Sequence, residues 1–419
     1  MHDIIVIGGG TSGMMAAVTA AENGSQVLIL DKNRKLGKKL KLTGGTRCNV
    51  TNNRPAKEVI KHIPGNGKFL YSAFSAFDNY DIIDFFTSRG VELKEEDHGR
   101  MFPTTDKSQT ILDVFLREIQ RLNIEVRKQT PVQSLWLDDG HYQGVILEDG
   151  EKIASKTLII ASGGKAYPRT GTTGDGYRFA KQLGHTITDL FPTEAPVTSD
   201  EPFIKDKTLQ GITLPDISLS VIDQNGKTVI RHDMDMIFTH FGVSGPAVLR
   251  CSMFVNTTLK KESGKYVRMC LDIVPDRSAN ELTQDLLARQ EDNKKALANV
   301  LKAWMPERYA TFLCDQAAID SHLPFNQLTP KQIDQIVQLM KKFTFKVTGT
   351  WPIEKGFVTG GGVHLKEIEP HSMQSKFHDN VFFCGEVLDI NGYTGGYNIT
   401  AAFVTGHTAG ENAAWKSME

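Results

Sequence analysis

Gly8, Gly10 and Gly13 follow an apolar run, Ile4-Ile5-Val6-Ile7, and fit the spacing G-x-G-x-x-G. Each glycine has its own task. Gly8 permits a tight turn, Gly10 lets the main chain approach a pyrophosphate, and Gly13 lets a helix pack close on the strand. A helix opening at Thr11 and Ser12 would turn unpaired N–H groups and its positive dipole end toward those phosphates. Asp31 closes a second apolar run, Val27-Leu28-Ile29-Leu30. It lies about 20 residues beyond the turn, where a carboxylate can accept hydrogen bonds from a ribose diol. A glycine pattern alone also fits an ordinary turn. Here the strand, the helix from Met14 to Asn23, the second strand and the acid are in register, so the segment reads as a dinucleotide-binding unit.

A second group of reactive side chains lies just downstream. Cys48 stands between Arg47 and Asn49, after Thr43-Gly44-Gly45. A thiol reacts as its thiolate, and a neighbouring guanidinium favours that form, which makes Cys48 the catalytic candidate. Redox chemistry at a disulfide needs a pair, however, and Cys48 has no partner nearby in sequence; packing against a cofactor is the alternative. His240, ahead of Gly242 and the turn Ser244-Gly245-Pro246, and His364, after Gly360-Gly361-Gly362, are candidates to face a substrate. A lone histidine is more often structural. The spacing builds no His–Cys–Asp triad.

Composition excludes several classes. The net charge of −1 gives no general attraction to nucleic acid or an anionic membrane. The five cysteines are odd in number and none is spaced C-x-x-C, which points to a reduced, cytoplasmic protein without a disulfide framework or metal site. The first strand is expected from about residue 3, leaving no room for a signal peptide. No apolar run approaches the roughly 20 residues of a membrane span. The sequence does not set the oligomeric state.

At 419 residues the chain is expected to form more than one domain. The βαβ opening is followed by a basic stretch from Lys32 to Arg47, then by helical periodicity over Phe69–Arg89 and Ser108–Asn123. Strands are expected at Ile124–Arg127, Val132–Leu137, Tyr142–Glu148 and Lys152–Ser155, with Asp139-Gly140 and Asp149-Gly150 as turns between them. An apolar strand then runs into Ala161-Ser162-Gly163-Gly164. From about 191 short alternating runs suggest a β unit to 275. Residues 276–355 read as helical and charged, including Glu281–Lys302. Near Gly356 the glycine-rich apolar style returns. The simplest organisation is one nucleotide-binding domain, 1–190 with 356–419, interrupted by an inserted module.

Three blocks carry a resemblance. They are Lys41-Leu42-Thr43-Gly44-Gly45-Thr46-Arg47-Cys48-Asn49-Val50-Thr51-Asn52, Phe238-Thr239-His240-Phe241-Gly242-Val243-Ser244-Gly245-Pro246, and Gly385-Glu386-Val387-Leu388-Asp389 through Gly395-Gly396-Tyr397-Asn398. With them the chain resembles the BaiN/RdsA-type family of NAD(P)/FAD-dependent oxidoreductases, which includes aminoacetone-oxidase-like flavoproteins. Thr46 departs from it, standing where the family usually has glycine. The resemblance implies an α/β, Rossmann-like FAD-binding domain in two parts, interrupted by a β-barrel-like and helical insertion.

The later blocks separate FAD from NAD. Ala161-Ser162-Gly163 resembles a block whose small residues let the main chain pass beside FAD. Phe382-Phe383-Cys384-Gly385-Glu386 resembles a second FAD fingerprint, which meets the ribityl–phosphate portion. Gly395, Gly396, Tyr397, Asn398 and Ile399 open the last helix, whose positive end can stabilise negative charge on a reduced flavin ring. The expected FAD site therefore comprises Gly8, Gly10, Thr11, Ser12, Gly13, Asp31, Lys32, Thr43, Gly44, Arg47, Cys48 and Asn49. It continues with Val132 at the head of its strand, Ala161, Ser162, Gly163, Gly385, Glu386 and residues 395–399. The expected function is hydride or electron-pair transfer to or from a small organic substrate, with the insertion covering the ring. No second complete G-x-G-x-x-G is present, so no dedicated Rossmann domain for NAD(P)H is expected, and the flavin would be reduced either by transient docking of NAD(P)H or directly by an oxidised substrate such as an amine. A flavoprotein acting on RNA through the basic Lys32–Arg47 loop, and a non-catalytic flavin-binding protein, are the alternatives.

Overall fold

The computed structural model describes residues 2–290 and 293–419. Glu291 and Asp292 belong to the expected helical run over Glu281–Lys302 and lie outside the described residues. The chain divides into two compact units, Met1–Phe191 with Phe357–Glu419, and Pro192–Gly356.

The first unit is built on a parallel sheet in the order Glu125–Lys128, Val27–Asp31, His2–Ile7, Lys152–Ile160, Val381–Phe383. Its central strands read as continuous apolar runs because both faces are covered: Ile4, Ile5, Val6, Leu158, Ile159 and Ile160 are fully buried. The strand Lys152–Ile160 is one long element: one edge pairs with His2–Ile7, and the other serves two partners along its length. Its first part pairs antiparallel with His141–Leu147, which in turn pairs with Val132–Asp138; its last part pairs with Val381–Phe383. The helix Thr11–Glu22 packs against the C-terminal helix Tyr397–Met418. That crossing is close because both helices use small residues: a Cβ on Gly406 would sit 2.5 Å from the Ser12 carbonyl oxygen.

The expected helix over Phe69–Arg89 is two helices, Tyr71–Ala76 and Asn79–Thr87. Asp78 interrupts them by capping the second, accepting from the Tyr80 and Asp81 amides while Asp81 accepts from the Asp78 amide. The helix Ser108–Arg121 follows the expected position, and a further helix spans Asp175–Gln182.

The second unit holds a seven-stranded antiparallel sheet, in the order Phe343–Val347, Val267–Asp272, Thr213–Ile222, Thr228–Phe238, Gly242–Ser244, Val197–Thr198, Gly349–Thr350. The two end strands are consecutive in the chain, separated by Thr348 alone. One bent run thus pairs at both ends of the sheet, a barrel-like device that leaves little free edge. Helices Pro246–Glu262, Ala279–Ala288, Glu307–Gln316 and Pro330–Lys342 accompany it. The helical reading of residues 276–355 is corrected near its end: Phe343, Phe345 and Val347 are buried while Thr344 and Lys346 are exposed, a two-residue period that makes this stretch a strand.

Candidate functional site

The Gly8–Gly13 turn, the Ala161-Ser162-Gly163 block and the Gly385 block come together at the carboxyl end of the parallel strands. The turn after His2–Ile7 is fixed by the sheet on one side and by Asp31 on the other. The Gly8 amide donates to the Leu30 carbonyl at 2.9 Å, and the Gly9 amide donates to Asp31 Oδ2 at 2.8 Å. Asp31 Oδ1 accepts from the Asn33 amide at 2.6 Å. Asp31 is 7% exposed. Its two oxygens each take one backbone N–H, and a carboxylate offers about four acceptor positions, so capacity for a diol is left over.

The three glycines of the turn differ in surroundings. A Cβ on Gly8 would lie 2.5 Å from the Ala161 carbonyl oxygen, and one on Gly13 would lie 1.9 Å from the Gly8 carbonyl oxygen. A Cβ on Gly10 would meet no protein atom within 4 Å. Gly10 also has an ordinary negative φ of −85°. Internal packing therefore requires glycine at 8 and 13, while the space over Gly10, at the start of the Thr11–Glu22 helix, is open.

The other blocks close on this turn. Ser12 donates to the Cys384 carbonyl at 3.5 Å, and a Cβ on Gly385 would lie 2.3 Å from Ser12 Oγ. The Gly385 amide donates to Thr405 Oγ1 at 2.9 Å. Glu386 is held at both oxygens: Lys39 Nζ lies 2.6 Å from Oε2, and the Thr359 amide donates to Oε1 at 2.8 Å. Thr359 is fully buried and its Oγ1 also accepts from the Lys165 and Ala166 amides, each at 2.9 Å. It ties the loop after Ala161-Ser162-Gly163 to Glu386. Ser162 Oγ is buried without a hydrogen-bond partner. The Thr130 amide donates to the Asp31 carbonyl at 3.0 Å, which brings the Val132 strand head to the same edge. Val132 is buried, and its carbonyl accepts from Arg178 Nη2 at 3.3 Å.

A second cluster gathers the Thr43–Asn52 block and the opening of the last helix. Gly395 and Gly396 have φ of 121° and 94°. A Cβ on Gly396 would lie 2.8 Å from the Thr51 carbonyl oxygen and 2.9 Å from Asn49 Oδ1. Asn52 Nδ2 donates to the Gly395 carbonyl at 3.2 Å, and Thr51 and Thr400 hydroxyls share a hydrogen bond at 2.7 Å. Asn49 is buried, and its Oδ1 has no partner. Asn398 latches the preceding loop, accepting from the Gly392 amide at 2.7 Å and donating to the Gly392 carbonyl at 2.7 Å. Tyr397 is buried and stacks on His62 at 4.7 Å; Ile399 is half-buried beside it. The last helix joins the clusters, since Thr400 meets one and Gly406 the other, six residues or about 9 Å further along.

Two readings of the Thr43–Asn49 loop change. Cys48 is fully buried, and burial pushes its thiol up to about 12, with Thr43 opposing the shift only in part. Arg47 does not face it. The guanidinium lies over the Phe102 ring at 4.1 Å, with Nη1 2.7 Å from Glu96 Oε1 and 3.2 Å from Asp106 Oδ1. The argument for an Arg47-activated thiolate at Cys48 is thereby corrected: at neutral pH the group is a thiol packed inside. Thr43 Oγ1 donates to the Leu40 carbonyl at 2.6 Å, and a Cβ on Gly44 would press on the Asn49 amide at 2.7 Å. Thr46 adopts φ of 72°, the left-handed conformation that a glycine takes at least cost, so the loop keeps a glycine-like shape there despite the substitution.

Other candidates lie elsewhere or are already engaged. Lys32 pairs with Asp175 and also reaches Thr173 Oγ1. His364 Nδ1 is 3.8 Å from Glu367. His240 belongs to the second unit, is exposed, and meets the Phe241 ring edge-on at 5.0 Å. Thr359, Lys39 and Thr405 were not anticipated. Thr359 directly precedes Gly360-Gly361-Gly362, the one local sign that main chain passes closely there; Lys39 and Thr405 carry no such sign.

Among the described residues no group of His, Cys, Asp and Glu is arranged to hold a metal ion, and no helix is long and apolar enough to cross a membrane. The donor set suits an elongated organic cofactor instead. It offers a glycine turn with open space over a helix N-terminus, a carboxylate with spare acceptor positions, and two buried polar atoms without partners, Ser162 Oγ and Asn49 Oδ1.

A family model described as HI0933-like protein Rossmann domain matches residues 2–412. The chain is 30% identical to a ribosomal RNA dihydrouridine synthase of Escherichia coli K12 over 406 residues, covering 96% of this chain and 95% of that protein. It is 28% identical to a 3-dehydro-bile acid delta(4,6)-reductase of Clostridium scindens, covering 99% of both. Among solved structures it is similar to 3-ketosteroid delta1-dehydrogenase from Sterolibacterium denitrificans, with a TM-score of 0.51 at 12% identity over 99% of both chains. It is also similar to a flavocytochrome c3 fumarate reductase, with a TM-score of 0.50 at 18% identity, covering 100% of this chain and 79% of that one. These two likenesses are of fold.

Proposed function

Since this chain belongs to the HI0933-like Rossmann family, we propose that it is an FAD-dependent oxidoreductase that saturates a carbon–carbon double bond conjugated to a carbonyl group. The observation that carries the cofactor assignment is the contrast within the first turn, filled at Gly8 and Gly13 and open over Gly10. The open space over Gly10 lies at the start of a helix, where main-chain N–H groups can take a pyrophosphate. The names of the two curated relatives, a delta(4,6)-reductase and a dihydrouridine synthase, both describe addition of two hydrogens to a double bond.

In this reading Asp31 holds the adenosine ribose, and the amides at the start of the Thr11–Glu22 helix hold the pyrophosphate. Lys39 fixes Glu386 for the ribityl portion. Asn49 and the opening of the last helix take the polar edge of the ring. Asn49 Oδ1 is a buried acceptor in need of a donor, and ring N–H groups supply one. The uncapped helix end at Gly396 favours negative charge by about 0.3–1 kcal/mol. FAD, when bound, supplies the hydride chemistry, and the protein supplies orientation and electrostatics. A reduced nicotinamide dinucleotide, docking transiently, is the source of electrons. Cys48, a buried thiol, shapes the loop beside the ring and takes no part in proton transfer.

The test is anaerobic. The purified yellow protein is mixed with NADH or NADPH while flavin absorbance is followed, and the bleached protein is then challenged with a 3-keto-4-ene steroid and with a uridine-containing RNA. Bleaching by the dinucleotide and recovery of colour with a conjugated substrate are expected. A protein that binds no FAD overturns the reading, as does a bleached protein that ignores every conjugated double bond and passes its electrons to an amine-derived imine.

A further inference from the structure

The first unit carries a surface cavity of about 570 Å3 whose walls come from two stretches, residues 60–71 and 365–366. Its floor is apolar, with Ile60 and Ile63 buried. Its rim carries Phe69, Tyr71, Lys68 and Lys366, and Tyr71 is 47% exposed. Lys61 also lines it, but its ammonium is paired with Glu58 at 2.6 Å. Lys68 and Lys366 have no acidic partner among the described residues. An exposed phenol and two ammonium groups without acidic partners, all lining one cavity, suit a ligand that carries both an aromatic ring and two negative charges.

The cavity is joined to the cofactor site by structure, not only by proximity in the chain. The Gly65 amide donates to the Asn391 carbonyl at 2.9 Å, and Asn66 Nδ2 donates to the Asp389 carbonyl at 2.8 Å. His62, within the first of those stretches, stacks on Tyr397 at 4.7 Å with rings 13° apart. The wall therefore rests on the segment that leads into Gly395-Gly396, the opening assigned above to the isoalloxazine.

We infer that this cavity is the docking site of a pyridine dinucleotide, with its pyrophosphate on Lys68 and Lys366 and a base against Tyr71. The inference rests on the reading that a reduced nicotinamide dinucleotide supplies the electrons. The chain has only one complete G-x-G-x-x-G turn, and that turn is taken by FAD, so the second dinucleotide needs a site of another kind. The size lies within the roughly 300–1,000 Å3 of ligand pockets. Two free cations match the two charges of a pyrophosphate. The net charge of −1 provides no wider field for a long polyanion such as RNA.

The experiment uses the FAD-loaded protein and the non-reducing analogue 1,4,5,6-tetrahydro-NAD, with affinity read by calorimetry. The Lys68→Glu/Lys366→Glu double variant is expected to bind at least tenfold more weakly and to lose most of its salt dependence. Tyr71→Ala is expected to bind about tenfold more weakly, as for loss of one base–aromatic stack. FAD content and melting temperature should stay unchanged in both. Wild-type binding with unchanged affinity in the variants overturns the cavity assignment and leaves the dinucleotide as reductant. Absence of binding to the wild type, together with no bleaching by NADH or NADPH, overturns both. A single-stranded RNA that binds the wild type and not the double variant, while the analogue fails to bind, overturns the proposal and makes the cavity an RNA contact.

Discussion

The Gly9 amide donates to Asp31 Oδ2 at 2.8 Å, joining the glycine turn to the acid at the end of the second strand. The same carboxylate that is assigned to the ribose thus also sets the shape of the turn assigned to the pyrophosphate. In that assignment one residue couples the ribose and pyrophosphate contacts.

Asp31→Ala should therefore lose more than one contact. Removing a charged acceptor costs about 1.5–3 kcal/mol, or roughly ten- to a hundredfold in the FAD dissociation constant. The orphaned amides of Gly9 and Asn33 add to this. Asp31→Asn keeps one acceptor oxygen and should fall between the alanine variant and the wild type. Titration of the apoprotein with FAD, followed by flavin fluorescence, gives the three affinities. Equal affinity in all three would show that Asp31 serves the fold alone.

Cys48 should behave as a packed thiol. With its thiol pushed up to about 12 by burial, the native protein should resist alkylation at Cys48 at pH 8, and Cys48→Ser should slow flavin bleaching by about tenfold or less, roughly 1.4 kcal/mol. A raised folded-state value stabilises the fold fully below the unfolded value near 8.5–9, and that contribution is lost as pH rises toward 12. Rapid mixing with reductant and mass mapping of the alkylated protein check the two statements. A hundredfold loss with FAD still bound would return Cys48 to the chemistry.

His407 predicts an acid limb. It lies on the last helix, stacked on Phe77 at 4.0 Å, and burial lowers its imidazole to about 4, with Asp81 opposing. An unfolded histidine titrates near 6.5. Stability should thus be full above about pH 6.5 and decline as pH falls toward 4, by up to about 3 kcal/mol at one pKa unit per 1.36 kcal/mol. His407→Gln should flatten that part of the profile. Urea midpoints measured from pH 7 to pH 4 for both proteins provide the comparison, and parallel profiles would place the acid limb elsewhere.

What could be read from the sequence was what is local. Gly8, Gly10, Gly13 and Asp31 are legible because a strand, a turn and a helix impose fixed spacings over some 25 residues. The Phe343–Val347 strand was legible in principle, since its two-residue period is local, but it adjoins a helix and was absorbed into it. The links that assemble the site are of another kind. Lys39 meets Glu386 across 347 positions, and Ser12 meets Cys384 across 372. No local pattern encodes such a pairing. Arg47 shows the converse: adjacency to Cys48 in the chain suggested a shared environment, yet the backbone directs the guanidinium to Glu96 and Asp106 and the thiol into the interior.

The sharpest test of the site compares two glycines of one turn. A methyl group on Gly13 would stand 1.9 Å from the Gly8 carbonyl oxygen, so Gly13→Ala must displace backbone and should cost about 3 kcal/mol or more, with loss of FAD as a consequence of damage to the fold. A methyl group on Gly10 would meet no protein atom within 4 Å, and φ there is −85°. Apo Gly10→Ala should therefore melt at the wild-type temperature or slightly above it, because alanine loses less entropy on folding. If the pyrophosphate passes over Gly10, that stable protein should bind FAD at least tenfold more weakly, the methyl group occupying the approach. Melting curves of the apoproteins and FAD titrations separate the effects. A Gly10→Ala protein with wild-type stability and wild-type FAD affinity would mean that the open space over Gly10 is not where the cofactor lies.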